Sequence, residues 1–246
     1  MPLISVITAV HGDRAALLRA AGESVAAQQL PSGWSVEWLI QEDGVPAGAA
    51  AVAAAFPFAR HSAHGDVLGP GGTRNLALAR AGGDLVHVLD SDDLLLPNAL
   101  ASAIETLAID SEIHWAAGQA DDLMPDGTRL SFPPEIPTGP VAPGVFGDFL
   151  IAHDRLPVHP AGVTARTATV RALGGWGAYP RGEDTVLLAA LSELTAGQLS
   201  PEVTWLYRRH DAQITHARDW SVLAGPTRLA ARQRLAALRE LRISLG

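Results

Sequence analysis

The chain reads as an α/β protein, a Rossmann-like mixed sheet flanked by helices within a single domain. Three observations predict this class. Short apolar runs rich in β-branched residues alternate with longer segments of helical periodicity over about the first 110 residues. Two of those runs end in acidic clusters, where strands of a parallel sheet meet the ligand side. Hydrophobic residues fill 48% of the 246 positions, and 24 Gly and 17 Pro punctuate the length, a composition suited to a packed domain.

Residues 3–9 form a short apolar run with β-branched side chains, the first buried strand. Asp13 stands as the cap of a helix over about 14–28, with Leu17, Leu18, Ala21 and Val25 on one face. A second strand at 36–40 leads into Gln41-Glu42-Asp43-Gly44, and an alanine-rich helix follows over 46–55. Residues 71–80 pass from a loop into a helix, and 84–89 form another buried strand, stopping at Asp90-Ser91-Asp92-Asp93. Pro97 suits the first position of a helix running to about 107. Strand–helix alternation implies a parallel sheet covered on both faces, so both acidic clusters face one crevice.

The second part is less regular. Residues 113–118 read as a strand and Asp126-Gly127 as a hairpin turn. The stretch 132–147 carries five prolines and reads as a loop. A helix is expected over 182–194, an extended run over 203–210, and an arginine-rich amphipathic helix over 227–245. No internal repeat is visible. A break near 110–120 divides the domain into halves at about 1–112 and 113–225, followed by the last helix at 226–246.

Composition narrows the chemistry. The formal net charge is −8, so no global basic field draws nucleic acid, and a phosphorylated ligand needs a cation or a few placed arginines. There is no cysteine, which excludes disulfides, thiol catalysis and Cys-zinc sites. All 18 basic residues are arginine, which excludes a P-loop or Schiff-base lysine. The start lacks a signal-peptide pattern, and no run reaches the roughly 20 apolar residues of a membrane span, so a cytoplasmic protein is expected.

Three carboxylates on one strand-end loop repel one another unless a cation sits among them, and Mg2+ or Mn2+ binds such oxygens together with substrate phosphates. Alternatively Asp92 or Asp93 caps the following helix and the others are solvated. These four residues alone leave both readings open.

A wider pattern bears on the choice. Ile4-Ser5-Val6-Ile7-Thr8, Glu42-Asp43-Gly44, Thr73-Arg74-Asn75 before Asp90-Ser91-Asp92-Asp93, and Gly174-Gly175-Trp176 before Gly182-Glu183-Asp184-Thr185 follow in order. Together they resemble family 2 glycosyltransferases of the GT-A fold, over about residues 3–215. The resemblance implies inverting transfer of a sugar from a UDP-, dTDP- or GDP-linked donor to a hydroxyl acceptor, assisted by Mn2+ or Mg2+. It makes residues 1–112 the nucleotide-sugar half and 113–225 the acceptor half. Asp43 would accept from a base N–H, with Thr8, His11, Arg74, Asp90 and Asp92 also on the donor side. Asp93 would be the main metal ligand, joined by Asp92 and His210. Asp184 would be the catalytic base, with Glu183, Trp176 and His159 toward the acceptor.

Two departures stand out: Glu42 replaces an aspartate, and His11 stands where an aromatic or polar residue is common. Plainer roles remain for each residue. His11 and His210 could be solvated, and Arg74 could form a structural salt bridge to Asp90 or Asp92. Glu183 and Asp184 could complement a helix dipole, and Trp176 could be core. The last helix either packs on its own domain or lies on an anionic membrane. A homodimer is compatible with the chain. A nucleotidyltransferase and a non-catalytic nucleotide-sugar-binding protein are the rival functions.

Overall fold

The computed structural model describes residues 1–12, 14–211, 213 and 219–243. Its elements run β1 (Leu3–His11), α1 (Ala15–Ala26), β2 (Ser35–Asp43), α2 (Ala49–Ala53), β3 (Ala59–Ala63), α3 (Gly69–Arg80), β4 (Leu85–Val88), β5 (Leu94–Leu95) and α4 (Ala99–Ile109). They continue with β6 (Ile113–Leu123), β7 (Arg129–Ser131), β8 (Gly139–Val141), α5 (Val145–His153), a single 3-10 turn (Pro160–Gly162), β9 (Val163–Arg166), α6 (Thr167–Ala172), α7 (Glu183–Leu194), β10 (Ala196–Arg208) and α8 (Trp220–Leu241). The expected cap Asp13 lies outside the described residues.

The strands share one mixed sheet in the order β3-β2-β1-β4-β9-β6-β10-β5, with β7 on β6 and β8 on β10. The pairs β1–β2, β1–β4 and β2–β3 are parallel, as the strand–helix alternation requires. β9 joins the two halves by running antiparallel to both β4 and β6. In β1, Ile4 and Val6 enter the core on one face of the sheet while Ile7 enters the other. In β2, Trp38 and Ile40 face one way and Leu39 the other. Covering both faces explains why these strands read as continuous apolar runs instead of alternating ones.

Several expectations need correction. Residues 94–96 are not helical: β5 pairs antiparallel with β10, and the Leu96 N–H donates to the Thr204 carbonyl at 2.8 Å. The helix therefore starts at Ala99 after a turn at Pro97-Asn98, and neither Asp92 nor Asp93 caps it. α3 begins at Gly69, so Gly71 and Gly72 are helical. A side chain at Gly71 would come within 2.4 Å of the Gly177 carbonyl, so glycine is required there for close approach. β3 was not foreseen, and the proline-rich stretch holds β8 and the start of α5. The Asp126-Gly127 hairpin is present, with Gly127 at φ 85 and the Met124 N–H bonded to the Thr128 carbonyl at 2.8 Å.

α8 packs Ala231 and Leu235 against Leu150, Val186 and Ala189. Its arginines pair within the domain: Arg228 and Arg232 each reach Asp154 at 2.9 Å, and Arg239 reaches Glu193 at 2.7 Å and Asp148 at 3.0 Å. Among the described residues no helix is long and apolar enough to cross a membrane.

Candidate active site

The parallel strands end along one rim, and the crevice is built there. At the end of β2, Glu42 is buried and structural: the Ala47 N–H donates to it, and His61 Nε2 lies 2.8 Å from its other oxygen. Asp43 accepts from the Leu68 N–H at 2.6 Å and the Gly69 N–H at 3.1 Å, so its carboxylate caps the first turn of α3. His11, whose side chain is 67% exposed, donates from Nδ1 to the Asp43 backbone carbonyl at 3.1 Å. Its ring therefore stands open beside Asp43. Thr8 does not belong to this rim. It is fully buried and its hydroxyl accepts from the Trp38 indole N–H at 2.9 Å, so its side chain is a core contact and cannot touch a donor.

The acidic loop after β4 is served unequally. Asp90 takes Arg74 Nη2 at 2.6 Å. Burial pushes the Asp90 carboxyl up, but Arg74, His159 and Arg14 together outweigh it and hold the group below the ordinary range. Asp92 Oδ2 receives both Arg14 Nη1 at 2.5 Å and His210 Nε2 at 2.9 Å. Asp93 is 1% exposed; its Oδ1 accepts from the Arg208 backbone N–H at 2.9 Å, and its Oδ2 has no hydrogen-bond partner among the described residues. Burial, then the charges of Asp90 and Asp92, drive the Asp93 carboxyl well above its ordinary range. β10 is what brings His210 here. Its antiparallel pairing with β5 carries the end of the strand back to the loop it must serve.

Arg74 gathers the rest. On α3 and buried, it reaches Asp90 on one side and both Glu183 and Asp184 on the other, with Asp184 Oδ1 at 3.1 Å. Burial alone would lower its pKa; the three carboxylates reverse that and raise it above the usual arginine value. The expected salt bridge is thus to Asp90, not Asp92, and it extends across the domain. Glu183 lies against Gly71, and burial followed by the Asp184 charge pushes its carboxyl up to about 8.

Trp176 is 5% exposed within the core, so it offers no platform to a sugar. Its indole N–H instead donates to Asp184 Oδ1 at 2.8 Å and fixes that carboxylate. Asn75 holds the same segment, donating to the Trp176 carbonyl at 2.7 Å and accepting from its N–H at 2.9 Å. Gly175 must be glycine, since a Cβ there would lie 2.2 Å from Asn75 Oδ1 and its φ is +67. This contact explains why Arg74-Asn75 and Gly174-Gly175-Trp176 occur in one chain. His159 is exposed, packs on Trp205 and Tyr207 at 4.8 and 4.9 Å, and lies within electrostatic reach of Asp90 and Asp184.

Arg14 and Asn75 carry roles that the residue pattern did not assign. For Arg14 the available signal was an arginine at the carboxyl end of the first strand, on the same rim as the acidic loop. Among the described residues no three His, Asp or Glu side chains form a closed metal cage. The donor set still fits a hard divalent ion. Asp93 offers a buried oxygen lacking a hydrogen bond, Asp92 lies next to it, and such ions commonly complete their shell with substrate phosphates.

The profile described as Glycosyl transferase family 2 matches residues 5–129. No curated protein sequence matches the chain. Solved structures do. The crystal structure of S. aureus TarS 1-349 superposes with a TM-score of 0.67 at 18% identity, covering 85% of this chain and 60% of that one. The same fragment in complex with UDP gives 0.70 at 16% identity, covering 100% and 67%. The complex with UDP-GlcNAc gives 0.67 at 16% identity, covering 87% and 60%. At these identities the likeness is one of fold. The chain spans about 60% of the length of the first of these structures.

Proposed function

Because the chain belongs to glycosyl transferase family 2 and has the GT-A fold, we propose that it transfers a sugar from a nucleoside diphosphate donor to a hydroxyl acceptor with inversion. The observation that carries this reading is the Arg74 bridge. One buried guanidinium joins Asp90 of the acidic loop to Glu183 and Asp184 of the second half, so carboxylates from both halves are held around one cation. The first donor class to examine is UDP-linked, since the similar structures include complexes with UDP and UDP-GlcNAc.

In this reading Asp184 takes the proton from the acceptor hydroxyl. Both hydrogen bonds that orient it, from Trp176 and Arg74, fall on Oδ1, and Oδ2 is the oxygen offered to the acceptor. Glu183 holds Arg74 from behind, and Arg74 keeps the crevice carboxylates from repelling one another. A single base on the face opposite the leaving group gives inversion without a covalent intermediate. Asp93 and Asp92, with His210, would hold Mn2+ or Mg2+, whose charge would neutralise the departing diphosphate. Asp43, already bonded to two amides through single contacts, retains lone pairs for a base N–H, and exposed His11 stands beside it.

The test is a panel of UDP-, dTDP- and GDP-sugars with Mn2+ or Mg2+, scored for the product released. Nucleoside diphosphate release, including slow donor hydrolysis, supports the reading. Pyrophosphate release marks a nucleotidyltransferase, and nucleotide binding without turnover on any acceptor marks a binding protein.

A further inference from the structure

We propose that Arg14 is the resident counter-cation of Asp92, and that a divalent ion must displace it to bind. The inference rests on the metal reading above and concerns a residue which that reading leaves out. Arg14 stands between β1 and α1, and its Nη1 lies 2.5 Å from Asp92 Oδ2. That is the same oxygen His210 Nε2 approaches at 2.9 Å. Of the three loop carboxylates, Asp90 is matched by buried Arg74 and Asp92 by Arg14, while Asp93 receives a backbone N–H on Oδ1.

Exposure separates the two arginines. The Arg74 side chain is 7% exposed, whereas Arg14 is 24% exposed and Asp92 17%. A cation shared by Asp92 and the unpartnered Oδ2 of Asp93 must come close to the guanidinium now resting on Asp92. Two positive charges on one carboxylate oxygen repel, and the partly exposed side chain is the one that can turn away. Arg14 therefore keeps the loop charge-balanced before donor arrives and sets a threshold for metal entry.

The experiment is calorimetric titration of nucleotide-free protein, stripped with chelator, with Mn2+ alone. Wild type is compared with Arg14→Met, Arg14→Gln and Asp93→Asn. Removing the competing charge should tighten Mn2+ binding about two- to five-fold in Arg14→Met, with the same direction in Arg14→Gln. Asp93→Asn should abolish it. A merely structural role, in which Arg14 holds the loop in shape, predicts the opposite sign. Equal or weaker binding in the Arg14 variants, with wild type binding normally, overturns the displacement role and leaves the metal reading intact. Absence of Mn2+ binding in every nucleotide-free protein overturns the displacement role, which needs a site that takes the ion before donor arrives. The metal reading is tested apart from it by repeating the wild-type titration with UDP present, where absence of Mn2+ binding overturns that reading too. If Arg14→Met does not fold, Arg14→Gln decides the sign.

Discussion

Replacing Arg74 by Met removes the one charge that three carboxylates share. The Arg74 side chain is 7% exposed, and its partners Glu183 and Asp184 are 4% and 16% exposed, so solvent does little to screen what is left. Removing one partner of a buried ion pair costs about 3–5 kcal/mol. Glu183 softens the loss because, with its carboxyl pushed up to about 8, it is already mostly protonated near neutral pH and leaves little charge unpaired. The lower end, about 3 kcal/mol, is therefore expected near neutral pH. For a domain of this size that corresponds to a fall in melting temperature of roughly 6–12 °C. The pH dependence follows from linkage. A carboxyl raised in the folded state binds more protons there than in the unfolded chain, so stability is full below its ordinary value of 4.5 and falls as pH rises toward the raised value. On this group wild type and variant lose stability in parallel up to about pH 8. The deficit of the variant should thus widen only above about pH 8, where wild-type Glu183 ionises and the variant's stays protonated, read by thermal melting at each pH. Arg74→Met combined with Glu183→Gln should recover roughly 0.5–3 kcal/mol, since glutamine is neutral without taking up the proton that buried Glu183 must bind on folding. A deficit under about 2 °C, or one that does not grow between about pH 8 and about pH 9, would refute the shared-guanidinium argument.

Three further outcomes follow from the site. Asp184→Asn keeps shape and loses the proton-accepting oxygen, so kcat should fall roughly 10²–10⁴-fold while nucleotide Kd by calorimetry stays near wild type; near-normal turnover would leave Asp184 only its charge at the start of α7. Trp176→Phe keeps a ring in the core but removes the indole N–H that holds Asp184. Steady-state kinetics should show kcat down about ten-fold with donor KM unchanged, consistent with losing one bond to a charged group, and an unaltered kcat would detach the ring from the base. Gly71→Ala forces a Cβ to 2.4 Å from the Gly177 carbonyl, so it should cost about 1–3 kcal/mol in denaturant unfolding, and no loss would mean that α3 can slide off that loop.

The strands buried on both faces were legible because a short, uninterrupted apolar run ending in polar turn residues fits little except a strand covered by helices on either side. β3 was not legible: Ala59-Arg60-His61-Ser62-Ala63 is an edge strand with weak apolar content, and its strand character comes from pairing with β2. β5 was not legible either, because Leu94 and Leu95 suit a helix equally well and only β10, more than a hundred positions later, makes them extended. Within the site, the acidic residues stood out by their clustering and their positions after strands. Their partners did not. Asp43 is committed to backbone amides at Leu68 and Gly69, donors that leave no mark in a sequence. Arg74 could be read as an ion-pair former, but its reach to Glu183 and Asp184 spans more than a hundred residues. Trp176 was ambiguous for a physical reason, since an indole can bury its ring and still direct its N–H at a functional carboxylate.

The sheet order has a consequence for anyone who would cut this protein in two. β4 and β6 meet through β9, which comes from beyond residue 160, and so the two halves are joined into a single sheet. A fragment ending near residue 112 would leave β4, four residues buried on every side, as a bare edge with unpaired N–H and C=O groups. Such a piece should be prone to self-association and is a poor vehicle for studying nucleotide binding in isolation. Insertions have a better address at the tip of the β6–β7 turn, Asp126-Gly127, which is exposed and lies beyond Leu123, where β6 pairs with Arg208. Tags or reporters belong there, while split versions of the chain should regain the site only when both pieces are present together.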